Sequence, residues 1–182
     1  MQKHFRLQQL IDTQNKPLSD DPDPVLALQG IGWLVRKAIS MMSVQLDIKS
    51  YQDSDGLWHI DVEQPGAAGI KGTTELRTID GKPADHEDHI FGHVVGTTTW
   101  GKVGDFKDDG GDESYLKADW LDDEILVNKV EATNGWTATQ IWGFQNVNVG
   151  GVTERRYARN IIVKKKDKQV KARLIYDYSP AK

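Results

Sequence analysis

The chain has 182 residues, of which 38% are hydrophobic and 27% charged, and its formal net charge at pH 7 is −4. This composition predicts one folded domain over residues 1–182, and the acidic balance argues against a nucleic-acid partner. The absence of cysteine excludes disulfides, thiolate metal sites and cysteine nucleophiles.

The beginning of the chain, MQKHFRLQQLIDTQN, lacks the apolar core and small-residue cleavage pattern of a secretory signal. No apolar run approaches the length that a bilayer span needs. We therefore expect a cytoplasmic protein without a transmembrane segment. The sequence leaves its oligomeric state open.

A first strand is predicted over residues 5–13, and a helical segment follows over residues 24–40. Asp23 can cap this segment, and Pro24 suits the first helical position, where no N–H is needed. Gly30 and Gly32 each weaken a helix by about 1 kcal/mol relative to Ala. They mark either a break into two short helices or a place where the helix packs closely on another surface.

The remainder of the chain alternates apolar and polar residues between turn signals, which is the pattern of β-strands. Gly92 and Gly96 predict bulges in the longest of these strands. With the first strand, about ten short strands are expected, as in an antiparallel sandwich or barrel. The predicted strands are 43–51, 57–64, 70–79, 86–100, 115–120, 125–132, 136–147, 155–164 and 170–178.

Several stretches resemble a family of small fungal lipocalin-like proteins in the calycin superfamily. The resemblance implies an all-β, closed or nearly closed antiparallel barrel with a helical segment after the first strand, and a hydrophobic small molecule held inside. Related barrels in fungal specialised metabolism act as cofactor-free cyclases, including pericyclases. The stretches are DPDPVLALQGIGWLVRKAIS (21–40), HIDVEQ (59–64), GIKGTTELRTID (69–80), DHIFGHVVG (88–96), NGWTATQIWGF (134–144) and RRYARNIIVKK (155–165).

The order of strand, helical segment and further strands looks most like the intracellular fatty-acid-binding branch of that superfamily. This branch holds a carboxylate with an Arg-x-Tyr pair on the last strand. Here that spacing occurs at Arg155 and Tyr157, on the predicted penultimate strand, whereas the last strand has Arg173 and Tyr176. A carboxylate clamp on the last strand is therefore not expected.

Two clusters of potential metal ligands occur in the sequence, a group of histidines and an acidic loop. His89 and His93 share a face of one predicted strand, and Asp88 or Glu75 could complete a zinc site with them. Nothing in the spacing fixes that geometry, and the acidic loop at 104–113 lacks the calcium-binding pattern. We therefore predict neither a metal nor another cofactor.

Aromatic side chains recur on the predicted strands together with a few polar ones, as in the walls of ligand pockets. Sequence alone does not say which face of the strands lines the interior. The expected ligand-binding residues are Trp33, Trp58, Phe91, Trp142, Phe144 and Tyr176, and the expected catalytic residues, which would polarise a carbonyl, are Tyr157, Gln140, His93 and Arg159.

Three functions fit these features. The first is a cofactor-free cyclase or isomerase that folds a hydrophobic substrate into a reactive conformation, and the resemblance favours it slightly. The second is a non-catalytic carrier of a lipid-like ligand, with a mobile helical lid. The third is a structural or interaction protein with a filled barrel.

Overall fold

Alternation of apolar and polar residues produces ten antiparallel strands in the computed structural model, which describes residues 10–67, 69–108 and 112–180. The strands are β1 (Leu10–Gln14), β2 (Gln45–Gln52), β3 (Trp58–Gln64), β4 (Thr73–Thr78), β5 (Pro83–Asp88), β6 (Gly92–Lys102), β7 (Glu124–Ala132), β8 (Trp136–Val149), β9 (Val152–Lys165) and β10 (Lys168–Pro180).

All ten strands form one sheet in the order β4-β3-β2-β1-β10-β9-β8-β7-β6-β5. The first strand joins the last, since Asp12 of β1 lies opposite both Leu46 of β2 and Tyr178 of β10. The edge strands β4 and β5 follow one another in the chain but do not pair, so a gap separates them. The predicted antiparallel, nearly closed calycin-like barrel is confirmed.

The predicted helical segment at 24–40 is two helices, α1 (Asp23–Leu28) and α2 (Trp33–Met41). Gly30 has a φ of +90°, a conformation that most other residues avoid, so the chain turns sharply there. An ion pair between Arg36 and Asp23 links the two helices. Of the two interpretations of the glycines, the break is the correct one.

Two predicted strands differ from the structure. The segment 86–100 is a hairpin rather than one strand, because the chain reverses at 89–91 and Gly92 takes a φ of +71°. The segment 115–120 instead begins with a short helix, α3 (Glu113–Leu116), whose start is capped by the Asp112 carboxylate accepting from the Tyr115 N–H at 3.1 Å. Of the predicted first strand 5–13, residues 5–9 lie outside the described residues.

Apolar residues cover both faces of the sheet around β7, β8 and β9. Leu116 of α3 and Phe106 pack on the outer face with Ile125, Ile141 and Ile162. The inner face carries the larger core. No helix in the described part of the chain has the length and apolar character needed to cross a bilayer.

Candidate functional site

The inside of the barrel has two different halves. We call the half under α1 and α2 the upper half and the opposite half the floor. The inward side chains of strand β8 show this change. Trp136, Ala138 and Gln140 line a cavity. The next two inward residues, Trp142 and Phe144, lie in the floor.

The upper half contains a cavity of about 170 Å³. Its roof is formed by Val25 and Leu26 of α1, Ile39 of α2, and Ile90 and Phe91 from the turn between β5 and β6. These side chains are apolar, which suits a hydrophobic ligand. The helical segment therefore covers the cavity.

The floor is a stack of aromatic rings. Trp142 lies 6.2 Å from Tyr176 and 5.8 Å from Tyr157, and Phe144 lies 5.4 Å from Tyr157, measured between ring centroids. Trp142, Tyr157 and Tyr176 are buried. Tyr176 also lines the cavity, so the upper surface of this stack is the bottom of the ligand space.

An ion pair stands in the cavity wall on β4. The Arg77 guanidinium donates two hydrogen bonds to one oxygen of the Glu75 carboxylate, the one from Nε at 3.0 Å. Arg77 is buried, while 39% of the Glu75 side chain remains accessible and lines the cavity. Burial alone would raise the pKa of Glu75, but the charge and hydrogen bonds of Arg77, with smaller contributions from Arg159 and His86, lower it.

Arg159 on β9 is the second cation of the cavity wall. Its guanidinium carbon lies 4.5 Å from the ring centroid of Trp142, and that of Arg77 lies 5.4 Å from the same ring. Two cations thus share one indole, which stabilises each of them by about 0.5–2 kcal/mol. Among the described residues, Arg159 Nε has no hydrogen-bond partner.

Side-chain hydrogen bonds join four neighbouring strands across the inner face. Arg159 donates to Gln140 Oε1 at 3.4 Å, Gln140 Nε2 donates to Asn128 Oδ1 at 3.3 Å, and Asn128 Nδ2 donates to Thr98 Oγ1 at 2.9 Å. All donors point in one direction, so the orientation of both amides is fixed. Gln140 keeps a second N–H, and it lines the cavity.

A second pocket of about 250 Å³ occupies the gap between β4 and β5. Its wall is more polar than the roof of the main cavity and includes Arg77, Thr98 and Asn128. Glu75 and His86 line both spaces and therefore stand between them. Two neighbouring spaces of mixed apolar and polar lining therefore share a wall that contains Glu75 and His86.

The structure brings four of the predicted site residues to the cavity: Gln140, Arg159, Phe91 and Tyr176. Trp142, Phe144 and Tyr157 lie in the floor, and Trp58 packs against the same inner core.

Two predicted residues lie elsewhere. His93 pairs with Asp85 at 2.9 Å, and 42% of its side chain is exposed, while Val94, its neighbour in β6, faces the cavity. Trp33 is 70% exposed on α2, although Ile39 of the same helix lines the cavity.

Sequence reasoning missed Arg77, His86, Thr98 and Asn128, and it considered Glu75 only as a zinc ligand. The signal for Glu75 and Arg77 was present, because they alternate with Leu76 and so share one strand face. The sequence did not show that this face points inward. In the structure it does, and Leu76 on the opposite face is 71% exposed. Within the described ranges, no three His, Asp or Glu side chains are grouped to hold a metal ion.

Comparison with solved structures defines the class of protein first. A fatty-acid-binding protein from the brain of Drosophila melanogaster matches with a TM-score of 0.54 at 15% identity, covering 92% of this chain and 95% of that chain. The REP1-NXSQ fatty acid transporter gives 0.53 at 16% identity, covering 96% of each chain. Human cRBP IV gives 0.51 at 10% identity, covering 92% and 94%. The fold is that of calycin barrels.

Sequence comparison then gives the family. The chain is 31% identical over 168 residues to the probable pericyclase scpY of Mollisia scopiformis, covering 90% of this chain and 85% of the relative. It is 24% identical over 176 residues to the pericyclase pydY of an Acremonium species, covering 90% and 87%. No protein-family model matches. The chain belongs to the same family of fungal proteins as scpY.

Proposed function

We propose that this protein binds a hydrophobic small molecule in the barrel and promotes its pericyclic cyclisation or isomerisation without a cofactor. The single observation that carries the proposal is the placement of Gln140 and Arg159 side by side in the wall of an otherwise mostly apolar cavity. The family supports it, because two relatives are named as pericyclases.

A pericyclic reaction rearranges bonds within one molecule, so no atom enters or leaves and no oxidant or reductant is needed. The protein has to hold the chain of the substrate in a folded conformation. Orientation of this kind is worth up to about 7–11 kcal/mol in favourable intramolecular models. The apolar roof formed by Val25, Ile39 and Phe91 and the aromatic floor supply the two surfaces between which a substrate can be folded.

Gln140 and Arg159 supply the polar contacts in this proposal. The second N–H of Gln140 donates a hydrogen bond to a carbonyl conjugated with the reacting double bonds and draws electron density from them. Because Gln140 is held by Arg159 and Asn128, little reorganisation is needed during the reaction. Tyr176 and Phe91 line the space for the hydrocarbon part of the substrate.

A carrier is the second candidate, favoured by the covered cavity and by the likeness in fold to proteins named for fatty-acid binding. A carrier and an enzyme differ in one measurable respect. A carrier takes up one ligand per barrel and leaves it chemically unchanged, whereas an enzyme converts many equivalents.

The decisive experiment begins with deletion of the gene in the organism that produces the protein. We expect a linear compound to accumulate with the same mass as the missing cyclic product. Purified, dialysed protein should then convert this compound without an added cofactor and over many turnovers, followed by chromatography and NMR. We also propose a cytoplasmic location and a role in specialised metabolism. A fluorescent fusion in the same organism tests the location, and the compounds lost on gene deletion test the role.

Gln140→Ala and Arg159→Gln are the matched variants for this assay, and Arg155→Gln is the control because Arg155 lies outside the cavity lining, over Phe144. Both cavity variants should lower turnover by at least tenfold while the control keeps it. Stoichiometric binding without conversion would identify a carrier instead. Full activity in both cavity variants would remove these two residues from the mechanism.

A further inference from the structure

The charged side chains of the cavity wall are not all directly paired. Glu75 and Arg77 of β4 form an ion pair. The charge of Arg159 on β9 acts on Glu75 only at longer range. Of the two guanidinium groups near Trp142, Arg159 is therefore the one without a directly bonded anion among the described residues.

Among the described residues, none provides a carboxylate within 4 Å of the Arg159 guanidinium, and its Nη1 donates a hydrogen bond at 3.4 Å to the neutral amide of Gln140. The Trp142 ring, 4.5 Å away, offers only its π face. Arg159 is partly buried and its Nε is fully so. A partly desolvated cation without a bonded anion is unfavourable, so the site favours a ligand that brings one.

The free edge of Arg159 has the shape that an oxyanion needs. Nη1 is engaged by Gln140, while the edge formed by Nε and Nη2 has no hydrogen bond to any described residue, and Nε is buried. Two parallel N–H groups on one edge bind two oxygens of a planar anion side by side. The neighbouring Gln140 N–H points into the same cavity and can donate to the anion or to an adjacent carbonyl.

We propose that Arg159 forms a subsite for an acidic oxygen group, either a carboxylate or the enolate of a β-dicarbonyl, on an otherwise hydrophobic substrate. That the ligand is a substrate rests on the proposed function, but the preference for an acidic group holds equally for a carrier. The acidic group lies against Arg159 and the Trp142 floor, and the apolar chain fills the space beneath α1 and α2.

This subsite differs in position from the Arg-x-Tyr clamp that fatty-acid-binding barrels carry on the last strand. Arg159 lies on β9, the penultimate strand, and its partners Gln140 and Glu75 come from β8 and β4. Tyr157, two residues earlier, is packed in the floor rather than exposed to the ligand space.

The experiment compares two probes that differ only in charge, cis-parinaric acid and its methyl ester, by fluorescence titration at pH 7.5. The wild-type protein should bind the acid at least tenfold more tightly than the ester. Arg159→Gln should bring the two affinities within threefold of each other, mainly by weakening the acid. Arg155→Gln, the control outside the cavity lining, should keep the wild-type preference.

Glu75→Gln distinguishes loss of the subsite from simple misfolding. This substitution should increase the preference for the acid over the ester, whereas Arg159→Gln should reduce it. Glu75→Gln removes the one ionised carboxylate and frees Arg77, so the acid should bind more tightly and the ester unchanged. Circular dichroism and thermal unfolding show whether each variant is folded before it is titrated.

Equal affinity for acid and ester in the wild type, failure of both probes to bind, or an unchanged preference in Arg159→Gln would each overturn the subsite. These outcomes are separate from those of the conversion assay. Conversion of a neutral substrate with no preference for the acid would leave the proposed function standing and remove the subsite. A strong acid preference without any conversion would keep the subsite in a carrier.

Discussion

The upper half and the floor of the barrel are built from the same strands but solve different problems. The floor is filled by Trp142, Phe144, Tyr157 and Tyr176 in contact with one another. The upper half leaves space and lines it with apolar side chains together with polar ones that include Gln140, Arg159 and Glu75. Close packing stabilises the fold, and the unfilled half makes room for chemistry. The difference teaches that stability and activity should respond to different substitutions in this protein.

The largest expected effect comes from breaking the floor. Trp142→Ala removes a ring that is 2% exposed and that stacks with Tyr176 and carries two guanidinium groups. A buried aromatic replaced by Ala costs about 3–5 kcal/mol of unfolding free energy. Urea unfolding followed by fluorescence of the remaining tryptophans measures it.

Trp33→Ala is the matched control, because Trp33 is 70% exposed on α2. Its cost should stay within about 0.5 kcal/mol. Similar losses in the two variants would show that the floor is not the stabilising half.

The second prediction concerns the ion pair in the wall. Burial raises the pKa of Glu75, but the charge and hydrogen bonds of Arg77 outweigh it and hold the folded-state pKa below its ordinary value. The pair therefore stabilises the fold at neutral pH and loses this contribution as the pH falls through the folded-state pKa. Arg77→Met should lower the free energy of unfolding by about 1–2 kcal/mol at pH 7, less than the roughly 3–5 kcal/mol of a fully buried pair, because 39% of the Glu75 side chain is accessible.

The stability difference between wild type and Arg77→Met should narrow as the pH falls from 7 towards the lowered folded-state pKa of Glu75, because protonation of the carboxylate removes the ion pair. Urea unfolding at pH 7, 5 and 3 gives the three values, and Arg77→Lys should retain part of the effect at pH 7. A difference that is constant with pH would mean that Arg77 stabilises the barrel by packing on Trp142 alone.

The third prediction moves from stability to turnover through the hydrogen bonds that hold Gln140. Thr98→Val removes the acceptor of Asn128 Nδ2, so the Asn128 amide and then Gln140 lose their fixed orientation. Because one hydrogen bond is worth about 0.5–1.5 kcal/mol, we expect kcat to fall about 3- to 10-fold. KM should change little, since Thr98 does not line the main cavity.

Thr98→Ser keeps the hydroxyl and should keep most of the rate. A loss shared equally by Thr98→Val and Thr98→Ser would point to packing of the methyl group instead of the hydrogen bond. Thr98 is a positioning residue in this account, because it acts on the substrate only through Asn128 and Gln140.

The fold was largely predictable because alternation and turn residues are local signals. The two errors have local causes as well. The turn at 89–91 contains apolar Ile90 and Phe91, which suit a strand but here form the roof of the cavity. Tyr115 and Leu116 also read as strand residues, yet Asp112 caps a helix that buries Leu116 on the outside of the sheet.

The site was less predictable because it depends on which face of each strand points inward. Gln140 and Arg159 could be proposed from their aromatic neighbours, but His93 and Trp33 have equally suitable side chains and lie elsewhere. Glu75, Arg77 and Asn128 come together only when the sheet curls so that β4 approaches β5, with β6 and β7 behind it, across the gap. No spacing within a single strand contains that information.

The smallest expected effects concern the predicted site residues that lie outside the cavity. Alanine at His93 or at Trp33 should change the affinity for cis-parinaric acid by less than twofold, because His93 pairs with Asp85 outside the cavity and Trp33 faces away from it. Phe91→Ala is the matched comparison, since Phe91 lies in the roof and packs on Trp136 at 6.1 Å between ring centroids. It should weaken binding at least fivefold. If Trp33→Ala weakened binding as much as Phe91→Ala, the outer face of α2 would have to move and close over the bound ligand. The space that the ligand occupies would then be larger than the cavity in the structure.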